Sequence, residues 1–183
     1  MIEHYQMTRI EEFTERLYEK INISNTYQLT IEEIAIRLNI WIYYTPMRSK
    51  ALEVRPGMYS MNIDSRLLPR EQWVEFLHEL CHLLRHAGNQ TIMPEQFTQA
   101  QEAEADAFTM YAAMPISMIK VMTLPERCCD AAACLADEFK VPIDMAQRRL
   151  EQIRRRVYAG RFFAAVSDQE NSSIVKEGVQ LAY

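Results

Sequence analysis

The segment that most restricts the fold of this chain is His78-Glu79-Leu80-Cys81-His82. It falls within a run whose apolar residues recur at helical spacing, and this spacing predicts a helix. On a helix, His78 and His82 lie one turn apart and can converge on a single ion, as a zinc site requires. Glu79 lies next to that face, where its carboxylate could reach a water molecule on the metal rather than the metal itself.

Proline and glycine residues mark the limits of this helix and of the next one. Pro69 suits a first helical turn, and Gly88 suits the position just past a helix end. A further helix is predicted between Pro94 and Pro115, and it carries the acidic segment 102–106. The sequence therefore predicts a pair of helices, one with the histidines and one with the carboxylates.

Glu102 is the predicted third ligand. Nineteen residues separate His82 from Glu102, which is enough to end one helix, turn, and bring a second helix back across the metal. Two imidazoles and one carboxylate leave a fourth position open for water, which is the arrangement of catalytic zinc sites. Asp106 shares a helix face with Glu102, so it could accept the outward N–H of a ligating histidine and fix its tautomer.

Two further polar residues lie near this motif but are not predicted ligands. Glu104 is about 200° round the helix from Glu102, which predicts a solvated surface acid. His86 is two helical turns, about 12 Å, beyond His78, so these two histidines cannot ligate one ion. His86 is predicted to support the ligands from behind or to line the cleft, with a plain surface position as the alternative.

The remaining sequence predicts an α+β, mostly helical fold with a small β-sheet packed on the zinc helix pair. A first amphipathic helix is predicted over 3–20, and a second begins at Thr30, whose side chain can cap it. Two β-rich runs follow, 40–45 and 57–63, and a proline-containing loop is predicted between them.

The C-terminal third reads as a helical region. Beyond Pro125 the pattern predicts two helices joined by the short link 140–142, which looks like a helix-turn-helix unit. The polar run 167–173 is predicted to be loosely structured. The predicted domains are a metallopeptidase domain over 1–115, a helix-turn-helix-like region over 116–166 packed on it, and a tail over 167–183.

Composition narrows the class of protein. The chain has 183 residues, 49% of them hydrophobic, with 4 Gly and 7 Pro, which excludes disordered and collagen-like chains. No apolar run approaches the roughly 18 residues that span a bilayer, so a cytoplasmic protein without a membrane partner is expected. The four cysteines are clustered rather than spread, which predicts buried free thiols and no disulfide.

At its metal-binding motif the sequence resembles the ImmA/IrrE family of zinc-dependent metallopeptidases. The resemblance runs from about Thr30 to Leu150, and it is carried by His78-Glu79-x-x-His82 and by Glu102-x-x-Ala105-Asp106-x-Phe108 followed by Met114-Pro115. The family usually has Gly at the position of Cys81 and often Asn at that of Asp106. Neither departure removes a ligand, but Cys81 adds bulk and an oxidisable or metal-binding thiol near the site.

The resemblance implies a gluzincin-like fold with two histidines and one glutamate as ligands of Zn²⁺. Members of the family with known roles cut or counteract helix-turn-helix repressors. The implied function is a zinc metalloendopeptidase that cleaves a specific protein, a helix-turn-helix repressor of a mobile element or stress regulon. Glu79 would be the general base. If 57–63 is a sheet edge beside the metal, as in other gluzincins, an extended substrate could pair with it.

The alternative function is a metal-binding, DNA-binding transcriptional regulator without protease activity. Between Lys140 and Arg161, seven basic residues oppose two acidic ones, although the net charge of the chain is -5. The first turn of the would-be recognition helix, 143–146, has no basic residue, which argues against direct DNA binding. The basic stretch is then a docking surface for an acidic partner or a solvated face.

Overall fold

The structure is a computed structural model that describes residues 2–86 and 94–180, with side chains described as far as residue 166. In chain order its elements are α1 Arg9–Lys20, a 3-10 helix Thr26–Gln28, α2 Ile31–Leu38, β1 Ile40–Thr45, β2 Lys50–Arg55, β3 Met58–Asp64, α3 Pro69–Arg85, α4 Glu95–Ala113, α5 Ile116–Lys120, α6 Cys128–Glu138 and α7 Ile143–Gln180. The predicted α+β, mostly helical class is confirmed. None of the helices in the described ranges has the length and apolar character needed to cross a membrane.

The chain forms two compact units. The larger unit is Thr8–Gln147, and the smaller one combines Met1–Met7 with Arg148–Tyr183. The metal-binding motif and the whole sheet belong to the larger unit.

Side-chain caps and prolines set several helix ends where the sequence predicts them. The Thr30 hydroxyl oxygen accepts a hydrogen bond of 3.2 Å from the Glu33 amide and caps α2. Pro69 is the first residue of α3, and α4 begins directly after Pro94. Each of these residues satisfies or removes a backbone N–H that a first helical turn leaves without a partner.

One predicted helix limit differs from the structure, and another lies outside the described residues. The first helix does not begin at residue 3 but at Arg9, because the Thr8 hydroxyl oxygen accepts from the Glu11 amide at 3.2 Å and caps it there. Helix α3 ends at Arg85, with His86 as its C-cap. Gly88, which was predicted to follow the end of this helix, lies outside the described residues.

The sheet of the described chain has three strands in the order β1–β3–β2, with β1 parallel and β2 antiparallel to β3. Two predictions are wrong here. Residues 50–55, predicted as part of a loop, form β2. Strand β3, considered as a sheet edge, is central, so its backbone groups are paired on both sides and cannot take up a substrate strand. The edges are β1 and β2.

The core of the larger unit lies between the sheet, α3 and α4, and α1 packs on α4. Each element contributes fully buried side chains, among them Met61, Ile63, Phe76, Leu77, Leu80 and Phe108. Burial of each such side chain contributes about 1.5–3 kcal/mol. The Tyr18 hydroxyl also donates to the Ala112 carbonyl at 2.7 Å. These contacts fix α3 and α4 against each other, which positions the site.

The link 140–142 between two C-terminal helices is present as predicted, since α6 ends at Glu138 and α7 begins at Ile143. Arg70 on α3 pairs with Asp137 at 2.7 Å and donates to the Val141 carbonyl at 3.0 Å. The run 167–173, predicted to be loosely structured, is helical. No Gly or Pro interrupts the sequence from 161 to 177, and extending an existing helix requires no new nucleation.

In the smaller unit, the N-terminal segment packs on α7. The Tyr5 hydroxyl lies 3.2 Å from Nη1 of the buried Arg149 and accepts from Gln152 Nε2 at 3.1 Å. A Cβ atom at Gly160 would lie 2.0 Å from the His4 carbonyl oxygen. Only glycine therefore allows this close approach of the two segments.

The prediction of buried cysteines is correct only for Cys81. Cys128 and Cys129 are exposed and Cys134 is intermediate, and all four thiols are free. The buried face of α6 is formed instead by Ala131, Ala132, Leu135 and Ala136.

Candidate metal centre

Helices α3 and α4 bring three ligand atoms together. The Nε2 atoms of His78 and His82 are 3.0 Å apart, and Glu102 places one carboxylate oxygen 3.2 Å from the first and the other 3.5 Å from the second. Tetrahedral zinc with bonds of about 2.0–2.1 Å holds neighbouring ligand atoms about 3.3 Å apart. The spacing and the chemistry of this donor set fit a metal ion, and these residues could hold one.

The packing of the two helices explains this convergence. Phe76, Leu77 and Leu80 are buried in the core. His78 and His82 lie on another side of α3, where their Nε2 atoms are close to Glu102 of α4. On α4, Ala105 and Phe108 are fully buried. Glu102 lies one turn before Ala105, so its carboxylate is directed to the side of α4 that faces α3.

The electrostatic surroundings suit metal binding by His82. Burial, together with the neighbouring His78, lowers the pKa of His82. A lower pKa keeps the imidazole neutral at neutral pH, and only a neutral imidazole has a lone pair for a metal. The side chains of His82 and Glu102 are 15% and 43% exposed, so the site is open to solvent on the Glu102 side.

Glu79, the predicted base, is held by the sheet. One of its oxygens, Oε2, accepts a hydrogen bond of 2.8 Å from the Ala51 amide in β2. The other oxygen, Oε1, makes no hydrogen bond within the described residues. Partial burial raises the pKa of the Glu79 carboxyl, although the Ala51 bond acts in the opposite direction. The sequence contains no signal for this contact, because residue 51 belongs to the strand that was predicted as loop.

Asp106 lies near the site but makes only a loose contact. Its Oδ1 is 3.6 Å from Nδ1 of His78, longer than a hydrogen bond, and its side chain is 80% exposed. The geometry brings the predicted partners close to each other without joining them.

His86 and Glu104 lie directly behind His82. Nδ1 of His86 is 2.8 Å from Nδ1 of His82, and Nε2 of His86 is 3.4 Å from Glu104. Glu104 also pairs with Arg85. Glu104, predicted as a solvated surface acid, lies at the surface but is partly covered, since its side chain is 28% exposed and the C-terminal end of α3 lies against it. The one sequence signal was the opposite charge of Arg85.

Cys81 lies between the two ligand histidines in the sequence, but its side chain does not reach the solvent. Its side chain is fully buried, and burial raises the pKa of the thiol to about 12. A neutral thiol is neither a good metal ligand nor readily oxidised. The burial of Cys81 thus gives no support to the expectation of an oxidisable or metal-binding thiol at this position.

Together, these features define a helix-borne group of two histidines and one glutamate, built on an H-E-x-x-H motif, that could hold a metal ion. The chain belongs to the peptidase family M78, described as the IrrE N-terminal-like domain, whose model matches residues 35–151. This membership points to a peptidase.

Two proteins of Bacillus subtilis (strain 168) are similar to this chain. The phage-like element PBSX protein XkdA is 34% identical over 150 residues, which cover 82% of this chain and 75% of XkdA. The uncharacterized protein YqaB is 33% identical over 163 residues, which cover 89% of this chain and 94% of YqaB. Both similarities extend over most of the chain.

Proposed function

We propose that this protein is a zinc-dependent endopeptidase that cleaves a specific protein substrate. The observation that carries the proposal is that His78, His82 and Glu102 bring their ligand atoms together in space. Glu79, the proposed base, directly follows His78 in the sequence. Membership in a peptidase family supports it. A purely structural zinc site would instead have four protein ligands.

The mechanism assigns separate roles to these residues. His78, His82 and Glu102 would hold the zinc ion. When bound in such a site, zinc lowers the pKa of water from 15.7 to about 7 and polarises a peptide carbonyl. Glu79 accepts the proton of the attacking water on its Oε1 atom and then donates that proton to the leaving nitrogen. The Ala51 amide keeps the carboxylate in place by its bond to Oε2.

The proposed substrate is a helix-turn-helix transcriptional repressor of a mobile element or stress regulon. The family resemblance supports this, because its members with known roles cut or counteract such repressors. The name of the relative XkdA refers to a phage-like element, which is consistent with a mobile-element substrate. Since repressors act on DNA inside the cell, we propose a cytoplasmic location.

Incubation with the repressor encoded beside its gene tests this function. The zinc-loaded protein should convert the repressor into a small number of fragments, which mass spectrometry would identify. The same protein after removal of zinc by a chelator should leave the repressor intact. A repressor that stays whole in the presence of fully zinc-loaded protein would count against this substrate.

Strand β2 offers a binding mode for an extended substrate. The Ala51 amide donates to the Glu79 side chain of α3, and from this we infer that the N–H of Ala51 points away from β3. In an antiparallel pair this orientation recurs at every second residue, and Glu53 therefore faces the same way. The outward edge of β2 thus lies beside the proposed base, where a substrate strand could pair with it.

Replacing Glu53 with Pro should reduce cleavage several-fold while zinc stays bound. Proline removes an outward N–H from β2 without removing a bond to β3. Glu53→Ala is the matched control, because it also loses the side-chain bond to the Gly57 amide but keeps the backbone N–H. Initial cleavage rates and zinc content would be measured for both variants. Equal rates in the two variants would exclude pairing at this position.

The alternative of a DNA-binding regulator gains no specific support. In the first turn of α7, Met145 and Ala146 are buried, and Asp144 is acidic. A recognition helix needs accessible base-reading side chains in this turn. We therefore propose the exposed basic residues of the smaller unit as a docking surface for an acidic partner: Arg148, Arg154, Arg155 and Arg161. Arg149 of the same stretch is buried and does not contribute.

A further inference from the structure

A continuous chain of polar contacts runs from His82 to the surface. Nδ1 of His82 lies 2.8 Å from Nδ1 of His86, and Nε2 of His86 lies 3.4 Å from Oε2 of Glu104. The other oxygen of Glu104 accepts from the Arg85 guanidinium, which itself lies 4.6 Å above the Phe13 ring. The His86 side chain is only 6% exposed.

The protons of this chain can be assigned from the ligand role of His82. Its Nε2 atom faces His78 and Glu102, so it must be unprotonated to bind a metal, and the ring proton is then on Nδ1. That N–H donates to Nδ1 of His86. His86 therefore has its own proton on Nε2, from which it donates to the Glu104 carboxylate.

The opposite assignment is unfavourable. If His82 had its proton on Nε2, His86 would donate from Nδ1 and would present a lone pair on Nε2 to the carboxylate of Glu104. Two acceptors would then face each other. Glu104 thus selects one tautomer of His86, and His86 selects one tautomer of His82.

The Glu104 carboxylate lies between the Arg85 guanidinium and Nε2 of His86, and it contacts both groups. Behind His78, by contrast, the described residues place the exposed Asp106 at 3.6 Å, with no hydrogen bond. The two histidines are therefore held unequally.

We propose that His86 and Glu104 are positioning residues, which together hold His82 in the tautomer that directs the Nε2 lone pair to the metal. The inference rests on the proposed function, in which His82 is a ligand. Partners of this kind affect metal affinity by about 10- to 100-fold in other metal sites.

Zinc affinity, measured by competition with a chromophoric chelator, tests the proposal. His86→Ala and Glu104→Gln should each weaken zinc binding by about 10-fold or more. Glu95→Gln is the matched control, since it removes the same charge from the same helix about 13 Å of helix before Glu104. Its affinity should equal that of the wild type. His86→Asn should recover part of the loss, because its Oδ1 can accept the His82 proton. Affinities of His86→Ala and Glu104→Gln within twofold of the wild type would overturn the proposal.

A double variant tests whether Glu104 acts through His86. In the His86→Ala background, the additional Glu104→Gln change should have almost no effect on zinc affinity. An equal loss of zinc affinity in both backgrounds would mean that the carboxylate acts by its charge alone. The proposed action of Glu104 through His86 would then be wrong. Circular dichroism would show whether each variant is folded. If His86→Ala does not fold, the zinc affinities of Glu104→Gln and His86→Asn still test the proposal.

The tautomer itself can be observed by ¹⁵N NMR of the histidine rings in the zinc-free protein. His82 should have its proton on Nδ1 in the wild type and should shift toward Nε2 protonation in Glu104→Gln. An unchanged tautomer would overturn the inference. If the wild type bound no zinc, the proposed function would fail. The NMR measurement would still show whether Glu104 and His86 set the tautomer of His82.

Discussion

Replacing Glu79 with Gln should abolish proteolysis while zinc stays bound. An amide cannot accept a proton from water, and general acid–base catalysis of this kind contributes about 10²- to 10⁴-fold to the rate. The ligands His78, His82 and Glu102 are unchanged. The new side-chain carbonyl can still accept from the Ala51 amide, so the local fold should persist. Initial cleavage rates and the zinc content per chain would be measured on the same samples.

Glu95→Gln provides the control for this experiment. It makes the same chemical change on α4, at an exposed position whose only described side-chain bond is to Gln99. Its cleavage rate should equal that of the wild type. Cleavage by Glu79→Gln at the wild-type rate would exclude Glu79 as the base and would require another residue in that role.

Replacing His78, His82 or Glu102 with Ala should remove the metal. The wild type should bind about one zinc per chain, because the described ligand atoms form a single cluster. Each variant leaves two of the three described ligands, which are too few for a stable site. Zinc content after dialysis would be measured by metal analysis.

The same variants should lose the stabilisation that zinc confers. A ligand that binds only the folded state raises its stability, so added zinc should raise the Tm of the wild type but not that of the variants. Full zinc occupancy in all three variants would show that the metal is bound elsewhere, and the site assignment would be wrong.

The sequence predicted the limits of the helices better than it predicted the strands. Thr30, Pro69 and Pro94 act within one helical turn of their own positions, so local chemistry was enough to predict them. Strand β2 was missed because five of its six residues are exposed, and an apolar-polar alternation does not develop without a buried face. The parallel pairing of β1 with β3 depends on contacts distant in sequence, which no local pattern encodes.

The same division applies to the site. Spacing within one helix placed His78 beside His82, and the length of the connection brought Glu102 into range. The pairing of Glu104 with Arg85 depends on the rotation of α4 relative to α3. Buried residues such as Phe108 determine that rotation. For this reason the angle between Glu104 and Glu102 on the helix did not predict that the end of α3 partly covers Glu104.

The hydrogen bond between Ala51 and Glu79 has a consequence for kinetics. The amide that fixes the proposed base belongs to the strand that we propose for substrate pairing, so one element serves both ground-state binding and the chemical step. A substitution that moves β2 would displace the substrate and the carboxylate together. KM and kcat of variants in 50–55 should then change in concert, whereas a change confined to a distant docking surface would alter KM alone.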